Sequence, residues 1–253
     1  MGDVPELIYD EGYFGGDSFG GYPAYLDDRQ LIVDNFARRV NWLEPHAQGK
    51  RLLDVGAAYG FLVQAAGEAG FDAVGLEPAA GCVEWARREL GISMLAGTVE
   101  EAVIEPESFD VVTLMDVIEH VADPGVALRQ IRRWLRPGGM VVIETGDFEA
   151  LLPRVVGSRW YYYDPPQHLT YFSPSSIETL LVASGFDAPV AVGHLGRSVS
   201  VRNFSFQLGR ALGDGIWGNA CRSLASSALG AFTFDVPDRG NVMAVAARVR
   251  SPG

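Results

Sequence analysis

The sequence predicts an α/β fold: a doubly wound, mostly parallel seven-stranded sheet with an N-terminal lid and a helical insertion before the last strand. Three observations predict it. Short β-rich apolar runs alternate with helical patterns from residue 51 onward, a glycine turn follows the first run directly, and the last such run is held back to residues 241–249. The 253 residues suffice for one large domain with a substantial core, and we read them as one. Its parts are a lid and helix over 1–45, a ligand-binding core over 46–193, a helical insertion over 194–240 and the final strand at 241–249.

Residues 1–27 are rich in glycine and aromatics. Tyr9, Tyr13, Phe14, Phe19, Tyr22 and Tyr25 are costly side chains to leave in water, so the stretch 9–26 is expected to close as a lid. In RQLIVDNFARRVNWL (29–43), Leu31, Ile32, Phe36, Val40 and Leu43 recur near helical spacing. Strands are expected at RLLDV (51–55), DAVGLE (72–77), ISMLAG (92–97), FDVVTLMD (109–116) and GMVVIET (139–145), with helices over 60–69, 79–90 and 124–135 between them. LRPGG (135–139) reads as a helix stop followed by a turn. SPSSIETLLVAS (173–184) opens on a serine cap and a proline and ends at Gly185, and the strand DAPVAVGH (187–194) follows. Residues 195–240 are too many for a simple loop and read as two short helices before the strand NVMAVAARV (241–249).

Composition narrows the function. No apolar run approaches the roughly 20 residues of a membrane helix, and the first residues lack the basic start and apolar centre of a signal peptide, so a cytoplasmic location without a membrane partner is expected. A net charge of -12 repels polyanions and disfavours nucleic acid. The spacing of Arg129, Arg132, Arg133 and Arg136 marks the solvated side of a helix. Cys82 and Cys221 form no metal or redox spacing and read as small buried side chains.

In an open α/β sheet the ligand sits beyond the carboxyl ends of the strands where their order reverses, and the turn Gly56–Gly60 is expected there. The spacing is Gly-x-x-x-Gly, with Ala58 where a dinucleotide fingerprint prefers glycine, and Asp54 stands two positions before Gly56. A carboxylate there suits a cationic ligand group better than a pyrophosphate, which argues against a nicotinamide dehydrogenase. Glu77 ends the second strand, where it can accept hydrogen bonds from both hydroxyls of a ribose.

The stretches LLDVGAAYG, VGLEP, FDVVTLMDVIEHVADP, LRPGGMVVIET, PPQHLTYFSP and LLVASGF span most of residues 51–186. Jointly they resemble the class I S-adenosylmethionine-dependent methyltransferases, in particular the bacterial small-molecule branch that includes the ubiquinone-pathway O-methyltransferases. The resemblance implies a Rossmann-like sheet, S-adenosyl-L-methionine as cofactor with S-adenosyl-L-homocysteine as product, and a small-molecule acceptor. The methyl group would go to an oxygen, less often a nitrogen, of a metabolite, sugar or natural-product intermediate. It further implies Asp54, Gly56 and Gly60 around the methionine half, Glu77 on the ribose, Thr98 and Val99 beside the adenine, and Met115 and Asp116 at the pocket wall. Ala57, Phe61 and Pro78 are expected in the same crevice, and Tyr13 and Tyr22 are expected to close over it from the lid.

Methyl transfer from a sulfonium is an in-line displacement, and positioning alone can contribute on the order of 7 to 11 kcal/mol. An acceptor hydroxyl also needs a base, and histidine suits neutral pH. His46 precedes the first strand, at the wrong end of the sheet, and His194 ends a strand at a turn or at the rim. His168 and His120 fall at the rim and are the expected catalytic residues. For His120 a structural hydrogen bond that secures its loop is an equal reading. Around His168, Trp160, Tyr161, Tyr162, Tyr163 and Tyr171 form either an apolar pocket with polar tips or a packing cluster under the insertion. Asp116, Glu119 and His120 would share one face if the segment turns helical, and His168 could then complete an N/O site for a divalent ion. That spacing is similar to the metal-dependent small-RNA 2′-O-methyltransferases and some ubiquinone-pathway enzymes, but the acidic charge argues against RNA and we expect a metal-free site. A module that binds S-adenosylmethionine without acceptor chemistry is the alternative from another class. Phe204, Phe206, Leu208, Leu212, Ile216 and Trp217 could form either a core or the face of a homodimer.

Overall fold

The computed structural model describes residues 25–213, 215–236 and 241–250. Tyr13, Tyr22 and the rest of the lid before Tyr25 lie outside the described residues. Helix α1 (Arg29–Leu43) precedes the alternating part, which runs β1 (Arg51–Val55), α2 (Phe61–Glu68), β2 (Asp72–Glu77), α3 (Ala80–Leu90), β3 (Ser93–Ala96), β4 (Phe109–Met115), α4 (Pro124–Trp134) and β5 (Leu135–Gly146). There follow α5 (Leu151–Val156), α6 (Pro174–Ala183), β6 (Ala191–Gly193), β7 (Arg197–Ser200), α7 (Val201–Leu212), α8 (Ile216–Ala225), β8 (Thr233–Val236) and β9 (Val242–Arg248).

All seven expected strands meet in one sheet of order β3-β2-β1-β4-β5-β9-β6. Strands β1 to β5 run parallel, and β9 is antiparallel to β5 and to β6. The chain winds outward from β1 to β3 and restarts on the other side with β4, so the order reverses between β1 and β4 and a crevice opens beyond their carboxyl ends. Leu53, Val55, Val112, Leu114 and Ile143 pack one face against Leu128, Ile131 and Trp134 of α4 and Ile177 and Leu181 of α6. Leu52, Val111, Met140 and Val142 pack the other against α1 and α2. Ser173 caps α6 as its sequence indicated: its hydroxyl accepts the Ser176 N–H while Ser176 returns a bond to the Ser173 N–H.

Several elements differ from the sequence reading. LRPGG is not a turn after a helix stop, because β5 already begins at Leu135 opposite Phe109 and the register slips before Val111 meets Met140. The strand expected over 187–194 shrinks to three residues because Pro189 has no N–H for the ladder. Helix α5 was not anticipated. The insertion does carry two helices, but β7 and β8 frame them as a two-stranded sheet. Helices α7 and α8 are not a core: Phe204, Leu212, Ile216 and Trp217 are exposed. Cys82 is buried as expected, whereas Cys221 is half-buried. Among the described residues no helix is long and apolar enough to cross a membrane.

A polar seam fixes the insertion to α1 and to the two residues before it. Asn35 clasps the backbone of Ser198 in both directions at 2.8 Å, Arg38 reaches Asp235 at 3.2 Å, Ser200 bonds Asp28 at 2.6 Å and Arg202 bonds Asp27 at 2.8 Å.

Candidate active site

The crevice floor is the turn between β1 and α2. Gly56 has φ +71, and a Cβ there would sit 2.5 Å from Cγ2 of Val117, so backbone shape and space both require glycine. Ala58 also adopts the left-handed region at φ 47, where glycine is usual. The amides of Gly56 and Ala57 bond the Leu76 carbonyl, and that of Gly60 bonds Ala57. Glu77 completes the clamp, its Oε2 accepting from the Ala58 N–H at 2.8 Å and its Oε1 from the Ala79 N–H at 2.9 Å. Burial raises its pKa against the opposing effect of these bonds. Asp54 is buried at the end of β1, where Thr113 donates to it at 2.6 Å. Burial, opposed by that bond and assisted by the charge of Glu77, pushes Asp54 up to about 7.

Asp54, Gly56, Ala57, Gly60, Glu77, Pro78, Met115 and Asp116 therefore gather at the ends of β1, β2 and β4 as expected. Thr98, half-buried, follows β3 on the same rim. Two expected residues are packed in the core: Val99 lies against Leu76 and its neighbours, and Phe61 is 1% exposed beneath the stacked ring of Tyr25, 5.5 Å away.

A second group of side chains lies beyond β4. Asp116 takes φ 55 and only Ile118–His120 form a 3₁₀ turn, so Asp116, Glu119 and His120 do not share a helical face as the spacing suggested. They converge instead through the loop after α5. The Tyr162 hydroxyl bonds Asp116 Oδ1 at 2.6 Å and also Glu119 Oε1. A phenol has one proton, so one of the two carboxyls must donate. Burial first, then the charge of Asp116, pushes Glu119 up to about 8, which makes Glu119 the protonated partner at neutral pH. The resulting relay runs from Glu119 through Tyr162 to Asp116. Burial first, then the charge of Asp116, raises the Tyr162 pKa well above its usual value.

His120 and His168 stand edge to face with ring centres 4.6 Å apart. The His120 Nδ1 lies 2.9 Å from the Gln167 carbonyl and the His168 Nδ1 2.6 Å from that of Tyr162. A carbonyl only accepts, so both Nδ1 atoms carry protons and both Nε2 atoms keep a lone pair. Burial, together with the neighbouring His168, pushes His120 down to about 4, and burial lowers His168. Ligand atoms of Glu119, His120 and His168 lie within 4.8 Å of one another and could hold a divalent ion. His194 bonds the Val242 carbonyl at 2.9 Å, and His46 precedes β1 at the far end of the sheet.

The sequence reading missed two arginines. Arg39 of α1, 5% exposed, bonds Glu144 at 2.9 Å. Its position seven residues after Ile32 and four before Leu43, on the apolar face of the helix, was the available signal. Arg197 of β7 donates to the Tyr161 hydroxyl at 2.7 Å, and nothing in its local sequence marks that contact.

A family model described as a methyltransferase domain matches residues 26–189. The chain belongs to that family. As a class I methyltransferase it takes its methyl group from S-adenosylmethionine. The chain is 30% identical to a ubiquinone biosynthesis O-methyltransferase of Azorhizobium caulinodans over 176 residues, covering 65% of this chain and 69% of that protein. With the enzyme of the same name from Cereibacter sphaeroides it shares 32% over 177 residues, 65% and 71% of the two chains. Among solved structures, an S-adenosylmethionine-dependent methyltransferase of Thermotoga maritima superposes with a TM-score of 0.58 at 18% identity, covering 88% of this chain and 92% of that one. That likeness concerns the fold, and the mostly parallel seven-stranded sheet of this methyltransferase agrees with it.

Proposed function

We propose that this methyltransferase methylates a hydroxyl oxygen of a small acceptor, with His168 as the base. The observation that carries the reading is the locked tautomer of His168: its Nδ1–H is spent on a backbone carbonyl, and its lowered pKa keeps Nε2 unprotonated at neutral pH. The acceptor oxygen forms a bond to the methyl carbon as the carbon–sulfur bond breaks, S-adenosylhomocysteine departs, and the hydroxyl proton passes to Nε2. Asp54, the Gly56–Gly60 turn and Glu77 hold the donor, with Pro78, Thr98 and Met115 around it. His120, pushed down to about 4, is too weak a base for this step and braces His168 edge to face. O-methylation is favoured over N-methylation by the named activity of the relatives from Azorhizobium and Cereibacter. The acidic balance, net charge -12, supports a small acceptor over nucleic acid.

The test is turnover of S-adenosylmethionine against a panel of phenols, sugars and hydroxy acids, with binding of S-adenosylhomocysteine measured by calorimetry. His168→Gln is expected to lower kcat by roughly 10² to 10⁴ while leaving product affinity unchanged. Unaltered turnover in that variant would remove His168 from the base role.

A second reading rests on one further observation: Glu119 Oε2 is buried with no hydrogen-bond partner among the described residues, beside two histidine lone pairs. Those three groups fit a divalent ion, which would supply Lewis-acid activation of the acceptor oxygen. Ion binding would displace the Glu119 proton. Turnover that survives exhaustive chelation excludes this reading, and turnover lost to chelation and restored by Mg²⁺ or Zn²⁺ replaces the first with it.

A further inference from the structure

The guanidinium of Arg197 is incompletely used. It is half-buried, yet among the described residues it makes one side-chain hydrogen bond, to the Tyr161 hydroxyl at 2.7 Å, with its carbon 5.6 Å from the Tyr161 ring centre. Among the described residues four of its five N–H donors have no partner, and it enters no ion pair with them. The other arginine reaching this region, Arg39, is engaged with Glu144 and with the carbonyls of Asn35 and Gly196. Asp116 and Glu144 act on Arg197 electrostatically but are held by Tyr162 and Arg39.

The position of Arg197 is fixed on both sides. Asn35 clasps the backbone of the next residue, Ser198, and the Tyr161 hydroxyl that receives Arg197 also accepts from Asn241 Nδ2 at 2.6 Å. Tyr161 stands edge-on to Tyr162, 5.9 Å between ring centres, so Arg197 lies one side chain away from the Asp116, Glu119 and His168 group.

We propose that Arg197 receives a carboxylate of the acceptor, which makes the substrate class a hydroxylated organic acid whose hydroxyl faces His168. A planar guanidinium with spare donors matches a carboxylate in two-point geometry, and a neutral amide in the same place offers one acceptor and a mismatched NH₂. The proposal rests on the methyl-transfer reading above and adds the chemistry of the acceptor.

The test uses the full chain saturated with S-adenosylhomocysteine. Calorimetry compares matched acid and amide pairs: salicylate with salicylamide, 4-hydroxybenzoate with 4-hydroxybenzamide, and 3,4-dihydroxybenzoate with its amide. At least one acid should bind the wild-type protein about tenfold or more tightly than its amide. Arg197→Gln should abolish that preference while S-adenosylhomocysteine affinity stays within about twofold, which also reports that the variant is folded. Arg197→Lys, retaining charge without the planar fork, should keep part of it. No acid preferred in the wild-type protein, or a preference that survives in Arg197→Gln, overturns the proposal. A variant that loses only S-adenosylhomocysteine affinity overturns it too, by showing that Arg197 serves the donor's own carboxylate. Absence of S-adenosylhomocysteine binding to the wild-type protein is a different failure, which removes the methyl-transfer reading and this proposal together.

Discussion

Replacing Asp54 with asparagine should act on stability and on donor binding in opposite directions. The carboxyl is 4% exposed, and its pKa rises from 3.8 to about 7 on folding, chiefly through burial. A raised folded pKa means that the stabilising protonated form is present below pH 4 and lost as pH climbs towards 7. At 1.36 kcal/mol per decade, the ionised group costs the fold about 4 kcal/mol above pH 7. Asparagine keeps the oxygen that accepts from Thr113 and never ionises. The variant's stability relative to wild type should therefore improve by up to about 4 kcal/mol between pH 4 and pH 8, on the order of 10 °C in Tm for a chain of this size. Donor binding should move the other way. If the ammonium of S-adenosylhomocysteine meets Asp54, losing the charge-assisted bond weakens Kd by roughly 10 to 100-fold. Wild-type binding near pH 6.5 should also release a proton that the variant does not, seen as a buffer-dependent calorimetric enthalpy. A Tm difference that does not change with pH, together with unaltered Kd, would refute both the buried-acid account and the donor assignment.

Three other outcomes are expected. Arg39→Ala strands Glu144 in the interior and should cost about 3 to 5 kcal/mol in urea unfolding, with part of the loss recovered at low pH as Glu144, whose pKa burial already raises, takes up a proton. Two substitutions in one turn should have opposite signs: Ala58→Gly relieves a left-handed alanine and gains up to about 1 kcal/mol, whereas Gly56→Ala drives a methyl into Val117 and destabilises, both measured by chemical denaturation. Glu77→Gln places an NH₂ against one of the two amides that the carboxylate accepts, and calorimetry should show S-adenosylhomocysteine affinity reduced about tenfold or more.

Much of the frame was legible because it rests on local pattern. Each of the seven strands carries its own β-rich run, and the glycine turn, the Ser173 cap and the β-α alternation are all signals confined to a few residues. What escaped needed distant partners. RSVS and TFDV, residues 197–200 and 233–236, are short and mixed in polarity, and become strands only because they pair with each other and are fastened to α1. Val99 and Phe61 follow turns at the carboxyl ends of β3 and β1, but their side chains are buried in the core. The three-residue spacing of Asp116 and Glu119 looked like a helix face, yet Asp116 turns left-handed and both carboxyls are joined through Tyr162, more than 40 residues away in sequence. The sequence makes Tyr162 either a wall of the pocket or part of a packing cluster, since nothing in YYYDPP distinguishes such a ring from one that bridges two acids.

The fastening of the insertion to α1 has a bearing on how such a chain diversifies. Hydrogen bonds of this kind contribute about 1 kcal/mol each in net stability, far less than the apolar layers beneath the sheet. The frame therefore depends little on what those bonds tie down, and a chain that preserves Asp28, Asn35 and Arg38 retains anchorage points for a differently shaped cassette. If Arg197 of that cassette receives the acceptor as proposed, substrate choice can drift by its exchange while the sheet and the glycine turn are left untouched.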